Sequence, residues 1–183
     1  MTTKAPASIE DLLRVPENKK AEIVNGELVL RSPTGDAPNY AAGEIFVSLR
    51  EYSRREQYGR AVTDNAAFKV NLPGRSSFSP DAAFYTGPKT GMRFFEGAPV
   101  FAAEVRSKFD YGPHAEQQLA MKRADYFAAG TQVVWDVDLL SEDLVKVYRA
   151  DDPTNPAIYR RGDLAEAEPA LPGWRLPVDD LII

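Results

Sequence analysis

Residues 99–138 read as strand, helix, strand, and that order limits the possible folds more than any other feature of the chain. PVFAAEVRS (99–107) begins as an apolar strand. Gly112-Pro113 then opens a helix through about Ala129, Gly130 stops it, and TQVVWDVD (131–138) returns to strand. Two strands joined through a helix pair by a crossover, which predicts a parallel pair. The runs DLVKVYR and AIYRRG continue it as an antiparallel meander, and LPGWRLPVDDLII closes the chain.

Upstream, Asn25-Gly26 sits between apolar alternations in AEIVNGELVL, the signature of a two-residue type I′ hairpin. Ser8, with Asp11 three residues on, marks the N-cap of a short helical turn. SPTGDAP is a loop, and a longer helix is expected from about Pro38 to Gln57 with Ile45, Leu49 and Tyr52 inward. RAVTDNAAFKVNL and, after the Pro73-Gly74 turn, SPDAAFY read as strands. With no internal repeat or linker, the expectation is one α+β domain over residues 1–183. It has an α/β-like core: a mixed β-sheet flanked by helices, with an N-terminal β-hairpin.

The chain has 183 residues, 44% of them hydrophobic, enough for a real core. It has no cysteine, which excludes disulfides, thiolate metal sites and cysteine nucleophiles. The stretch MTTKAPASIEDLL has no long apolar region, and no run reaches membrane-spanning length, so a cytoplasmic protein without membrane partners is expected. The net charge of −5 argues against broad nonspecific binding to phosphate backbones, although a local basic groove is compatible with it.

Two carboxylates stand out. Asp81 follows Pro80 at the start of an apolar strand, where it needs either turn amides or a cation. Glu104 interrupts PVFAAEV on the same strand face as Ala102 and Arg106. An ion pair with Arg106 is one reading of Glu104. The other has Asp81 and Glu104 on neighbouring strands, converging on a hard divalent cation such as magnesium. On the second helix, Lys122 and Arg123 both flank the apolar stripe, and periodicity alone does not choose between them. Lys122 is expected beside Leu119 and Tyr126 at the margin of the stripe, and Arg123 between Leu119 and Phe127.

SPDAAFY, FAAEVRS, DYGPHAEQQLAMKRADYFAAGTQVVWDVD, VKVYR and LPGWRL, in this order and spacing, resemble the Uma-two family, described as restriction endonucleases. That family belongs to the PD-(D/E)-x-K nuclease superfamily, and the resemblance runs through nearly the whole chain, including IVNGEL. It implies a restriction-endonuclease-like fold and a Mg2+-dependent endonuclease hydrolysing DNA phosphodiester bonds, with Mn2+ able to substitute. It also implies Asp81 and Glu104 as metal ligands and catalytic residues, and Lys122, in a Lys-x-x-x-Tyr pattern ending at Tyr126, as the displaced catalytic lysine. Arg106, at the position of the superfamily's unshifted lysine, is an auxiliary candidate for phosphate contact; Glu44, in the first long helix, is an additional carboxylate candidate. Many nucleases of the superfamily act as dimers, so a homodimer is compatible. Two departures, Arg106 itself and the lack of a histidine in NYAAGEIF, favour a rival reading: a noncatalytic nuclease-like binding module. His114, the only histidine, is expected as a solvated residue at the start of the second helix.

Overall fold

The structure, a computed structural model, describes residues 5–16 and 19–183. Residues 1–4 and 17–18 lie outside the described residues, and with them the first part of the terminal stretch read for an export signal.

Helix α1 (Ile9–Leu12) is held by a reciprocal capping box: the Ser8 hydroxyl accepts from the Asp11 amide, and the Asp11 carboxylate accepts from the Ser8 amide. Strands β1 (Lys20–Val24) and β2 (Glu27–Arg31) form the expected hairpin. Asn25 and Gly26 both have positive φ, 49° and 74°, as a type I′ turn requires. Helix α2 (Asp36–Glu56) buries Ala41, Ile45, Leu49 and Tyr52. It starts two residues before Pro38, which sits inside the first turn, where an N–H would have no partner within the helix.

The run 60–72 divides. Its halves, β3 (Arg60–Thr63) and β4 (Phe68–Leu72), are separated by a turn with Asn65 at φ 62° and join different sheets. β5 (Arg75–Phe78) folds back on β4, and Ser79-Pro80 then leads into β6 (Ala82–Tyr85). The strand order continues with β7 (Phe95–Glu96) and β8 (Phe101–Val105), then helix α3 (Pro113–Ala128). Strands β9 (Val133–Val137), β10 (Val145–Arg149) and β11 (Asp152–Tyr159) follow, then the ribbon β12 (Leu164–Glu166) with β13 (Arg175–Pro177).

A six-stranded mixed sheet has the order β11-β10-β9-β8-β6-β3, with β8 and β9 parallel and the remaining pairs antiparallel. This is the crossover read from residues 99–138. A five-stranded sheet, β2-β1-β5-β4-β7, is a second layer that the sequence reading did not separate.

Strand alternation sends Phe101, Ala103 and Val105 to one face of the large sheet, where they pack with α2 and the C-terminal segment. Phe101, Trp135 and Trp174 meet there with ring centroids 5.0–5.4 Å apart. Both indole N–H groups are satisfied, Trp135 donating to the Glu166 carbonyl and Trp174 to Ser48 Oγ. Ala83, Ala102 and Val134 point to the other face, against Tyr126 of α3 and Phe68 and Phe78 of the smaller sheet. Glu104 shares the face of Ala102. It therefore lies where the large sheet, the small sheet and α3 meet.

Candidate active site

The antiparallel register pairs Ala82 with Ala103, so the next step along the ladder sets Asp81 opposite Glu104. The Asp81 amide donates to the Ala103 carbonyl at 3.1 Å, and the Val105 amide donates to Asp81 Oδ2 at 2.8 Å. Paired residues of an antiparallel ladder present their side chains to one face. The two carboxylates are thus neighbours on the α3 side, as the alternation pattern predicts.

Helix α3 adds a cation from above. Lys122 Nζ is 2.8 Å from Glu104 Oε2 and 2.8 Å from Glu22 Oε1. Tyr126, one turn on, donates its hydroxyl to Glu104 Oε1 at 2.6 Å. Lys122 is therefore buried between two carboxylates, not placed at the margin of the stripe. The reason is the second sheet, which covers the flank of α3 that helical periodicity assigned to the margin.

Three members of the cluster carried no signal in the sequence. Glu22 is 1% exposed; Arg75 Nη1 donates to its Oε2 at 2.9 Å, and the Ser79 amide to its Oε1 at 2.8 Å. Arg75 Nε also donates to Asp125 of α3 at 2.8 Å. Lys20 Nζ lies 2.7 Å from Asp81 Oδ1 and 2.5 Å from Asp64 Oδ1. Within AEIVNGEL, Glu22 alternates with Ala21 and Ile23, the pattern of a solvated face; only the packing of β1 against α3 and the large sheet buries it.

Electrostatics divide the carboxylates. Burial would push the Glu22 carboxyl up, but Lys122 and Arg75 outweigh burial and hold it below its ordinary value. Glu104 is raised: burial, with Asp81 and Glu22 beside it, outweighs Lys122 and Lys20. Burial would lower the Lys20 ammonium, yet Asp81, Glu104 and Asp64 together raise it. The Tyr126 phenol is pushed well up by burial and by Glu104, so it remains a neutral donor.

Of these groups, Lys20, Asp64, Asp81, Glu104 and Lys122 line a cleft of ≈ 620 Å³. Its rim includes Lys19, Arg31, Lys108, Phe109 and His114. The exposed Lys19, Arg31 and Lys108 give this rim a positive character in a chain of net charge −5.

A family model, Uma2, described as "Putative restriction endonuclease", matches residues 9–179. The chain belongs to the Uma2 family. The crystal structure of a putative nuclease belonging to DUF820 from Anabaena variabilis ATCC 29413 matches it with a TM-score of 0.74 and 19% sequence identity. The match covers 96% of this chain and 97% of that one. At that identity the likeness speaks for the fold, which is restriction-endonuclease-like α+β. No curated protein matches the sequence.

The Uma2 chain brings Asp81, Glu104 and Lys122 together but not the auxiliary candidates. Glu44 lies on α2, which packs on the other face of the large sheet, and it does not line the cleft. Arg106 reaches the cleft wall with its guanidinium committed: Nε and Nη2 donate to Asp136 at 2.7 and 2.8 Å, and Nη1 and Nη2 to Glu116. It neither pairs with Glu104 nor fills the space beside Asp81. Arg123 stacks on Tyr148, with its guanidinium carbon 3.7 Å from the ring centroid, and its ion-pair partner is Asp136, at 4.0 Å, not Glu104. His114 is exposed at the start of α3, as expected. No helix among the described residues is long and apolar enough to cross a membrane.

The donor set suits a hard cation. Asp81 and Glu104 offer carboxylate oxygens, and the pull of both on the Lys20 ammonium marks a place where positive charge is favoured. Among the described residues no three Asp, Glu or His groups form a ready-made cage, so an ion here would complete its shell with water and substrate oxygens.

Proposed function

We propose that this Uma2 protein is a Mg2+-dependent endonuclease that hydrolyses DNA phosphodiester bonds in the cleft above Asp81, Glu104 and Lys122. One observation carries the reading: two carboxylates from adjacent strands and a buried lysine from the crossover helix converge at the floor of a cleft with a basic rim. Burial, with Asp81 and Glu22 beside it, raises the Glu104 carboxyl, and a divalent ion would favour its charged form.

Asp81 and Glu104 would hold the ion. When bound, Mg2+ or Mn2+ supplies Lewis-acid polarisation of the scissile phosphate and a lowered pKa for the attacking water. Lys122 keeps Glu104 oriented through its contact with Oε2 and places positive charge beside the phosphorus as negative charge grows there. Tyr126 fixes the other Glu104 oxygen, and the Val105 amide fixes Asp81, so neither carboxylate has to be ordered when substrate arrives. Lys19, Arg31 and Lys108 line the cleft where flanking phosphates would run. In the hydrolysis, the water oxygen bonds to phosphorus, the bond to the leaving sugar oxygen breaks, and a proton passes to that oxygen through solvent.

The experiment is cleavage of plasmid, linear and single-stranded DNA by the full chain with Mg2+, Mn2+ or chelator, beside Asp81→Asn and Glu104→Gln. Metal-dependent cutting lost in both variants is the expected result. Cutting that survives chelator, or survives both substitutions, would overturn the assignment. Metal-independent DNA binding without any cutting would favour the noncatalytic module. A specific observation makes that second reading worth the comparison: both Glu104 oxygens and both Asp81 oxygens already have protein partners.

A further inference from the structure

Lys20 is not bound as Lys122 is. Lys122 is enclosed, its side chain 8% exposed and its two partners 1% and 15%. Lys20 instead bridges a half-buried carboxylate on the cleft floor, Asp81, and an outer one, Asp64, whose side chain is 46% exposed. Asp64 lies in the turn between β3 and β4, where its Oδ1 also accepts from the Asn65 amide at 2.7 Å, and it lines the same cleft. The titratable groups facing the ammonium are thus Asp81, Asp64 and Glu104, from three separate parts of the chain.

We propose that Lys20 is a tethered cation that occupies the divalent-metal position beside Asp81 and Glu104, and that it withdraws onto Asp64 when an ion enters. The inference rests on the metal-dependent reading above and deepens it. A lysine is a compact point charge on a flexible four-carbon stem, able to keep one partner while leaving another. An ammonium and a divalent ion on the same Asp81 oxygen would repel each other at contact distance, so only one holds the place. Lys20 has somewhere to go because Asp64 already binds it. In the ion-free protein the ammonium adds to Lys122 in offsetting the repulsion between Asp81 and Glu104; in the loaded protein it stands at the cleft wall, facing the substrate phosphates. Lys20 is a positioning residue in this scheme, and a competitor of the ion it makes room for.

The test is Mn2+ binding to the full chain at neutral pH, read from the electron paramagnetic resonance signal of free Mn2+. The parent is compared with Lys20→Met, Lys20→Arg, Asp64→Asn, Asp81→Asn and the Lys20→Met/Asp64→Asn double variant. Removing a competing charge-assisted contact should tighten Mn2+ binding by about tenfold or more in Lys20→Met. Lys20→Arg retains the competing charge and should stay within a few-fold of the parent. Asp64→Asn should weaken binding, because the ammonium loses its resting partner, and the double variant should return to the Lys20→Met affinity. Removing any nearby cation would tighten binding somewhat, but only a lysine that withdraws onto Asp64 makes the effect of Asp64→Asn vanish in the Lys20→Met background.

Equal or weaker binding by Lys20→Met, with binding still abolished in Asp81→Asn, overturns this inference and leaves the metal site standing. A double variant as weak as Asp64→Asn makes Asp64 an ion ligand and overturns the withdrawal. No Mn2+ binding by the parent or by Lys20→Met overturns both readings. Thermal melts accompany each protein; should Lys20→Met not fold, Lys20→Gln carries the same expectations.

Discussion

Replacing Lys122 tests the packing of the site before it tests chemistry. The ammonium lies 2.8 Å from Glu22 and 2.8 Å from Glu104, all three side chains being at most 15% exposed. Methionine retains most of the stem's volume but leaves two carboxylates without their shared cation. Breaking a buried ion pair from one side costs about 3–5 kcal/mol, against a total stability of roughly 5–15 kcal/mol. The low end, about 3 kcal/mol, is expected here. Glu22 keeps Arg75 and the Ser79 amide, and Glu104 keeps the Tyr126 hydroxyl. Adding Glu104→Gln to Lys122→Met removes one uncompensated charge and should restore about 1–2 kcal/mol, within the usual range for coupled neighbours. Guanidinium melts of the parent, both single variants and the double variant give the cycle directly. A loss below about 1 kcal/mol for Lys122→Met, or no coupling to Glu104, would refute the buried-bridge argument. A drop in cleavage by a Lys122 variant becomes informative only at a temperature where its melt shows it folded.

Tyr126→Phe removes the donor to Glu104 Oε1 and should cost about 1.5–3 kcal/mol in the same melts, since the lost hydrogen bond is to a charged group. Arg106→Ala should destabilise by about 3 kcal/mol or more, because Asp136 is 4% exposed and loses a bidentate partner; a near-neutral result would return Arg106 to the list of phosphate contacts. Acid unfolding has a defined sign for Glu22. Its folded carboxyl is lowered from 4.5 to about 2, so its contribution is complete above the unfolded value and disappears as pH falls through about 2. Glu22→Gln should therefore flatten the stability curve between those values, by on the order of 3 kcal/mol across the window, and pH-dependent melts that superimpose on the parent would contradict it. Calorimetric titration with Mn2+ should show binding to the parent and much weaker binding to Asp81→Asn and Glu104→Gln; equal binding by all three would make the carboxylates structural.

Local rules made several elements legible without coordinates. Asn25-Gly26 specifies its hairpin because two adjacent positive φ angles suit few other residue pairs. Gly112-Pro113 and Gly130 bracket α3 for similar backbone reasons, and the helix between two apolar strands leaves a parallel crossover as their pairing. The alternation of PVFAAEV sets Glu104 apart from Phe101, Ala103 and Val105, and SPDAAFY puts Asp81 at the mouth of a neighbouring strand. The choice of Lys122 over Arg123 came from resemblance, not from periodicity, and the structure brings Lys122 alone of the two to Glu104.

The hairpin, the two long helices and the faces that strand side chains take follow from local sequence, because backbone dihedral preferences and the two- and 3.6-residue periods act over a few neighbouring residues. Which polar residues are buried together depends instead on how the layers pack. Glu22 and Lys20 lie 82 and 84 residues from Glu104 in the chain, and their strand carries the alternation of an ordinary half-solvated hairpin. They reach the site because the 60–72 run breaks at Asn65, sending β4 into a second sheet whose β5–β1 pairing lays β1 against α3. Burial from that second layer turns a surface-like glutamate into the clamp of Lys122 and brings a strand-end lysine to the carboxylates. A charged side chain's role depends on which opposite charge and how little water surround it, and both are properties of the packed layers, not of the residues beside it in the chain.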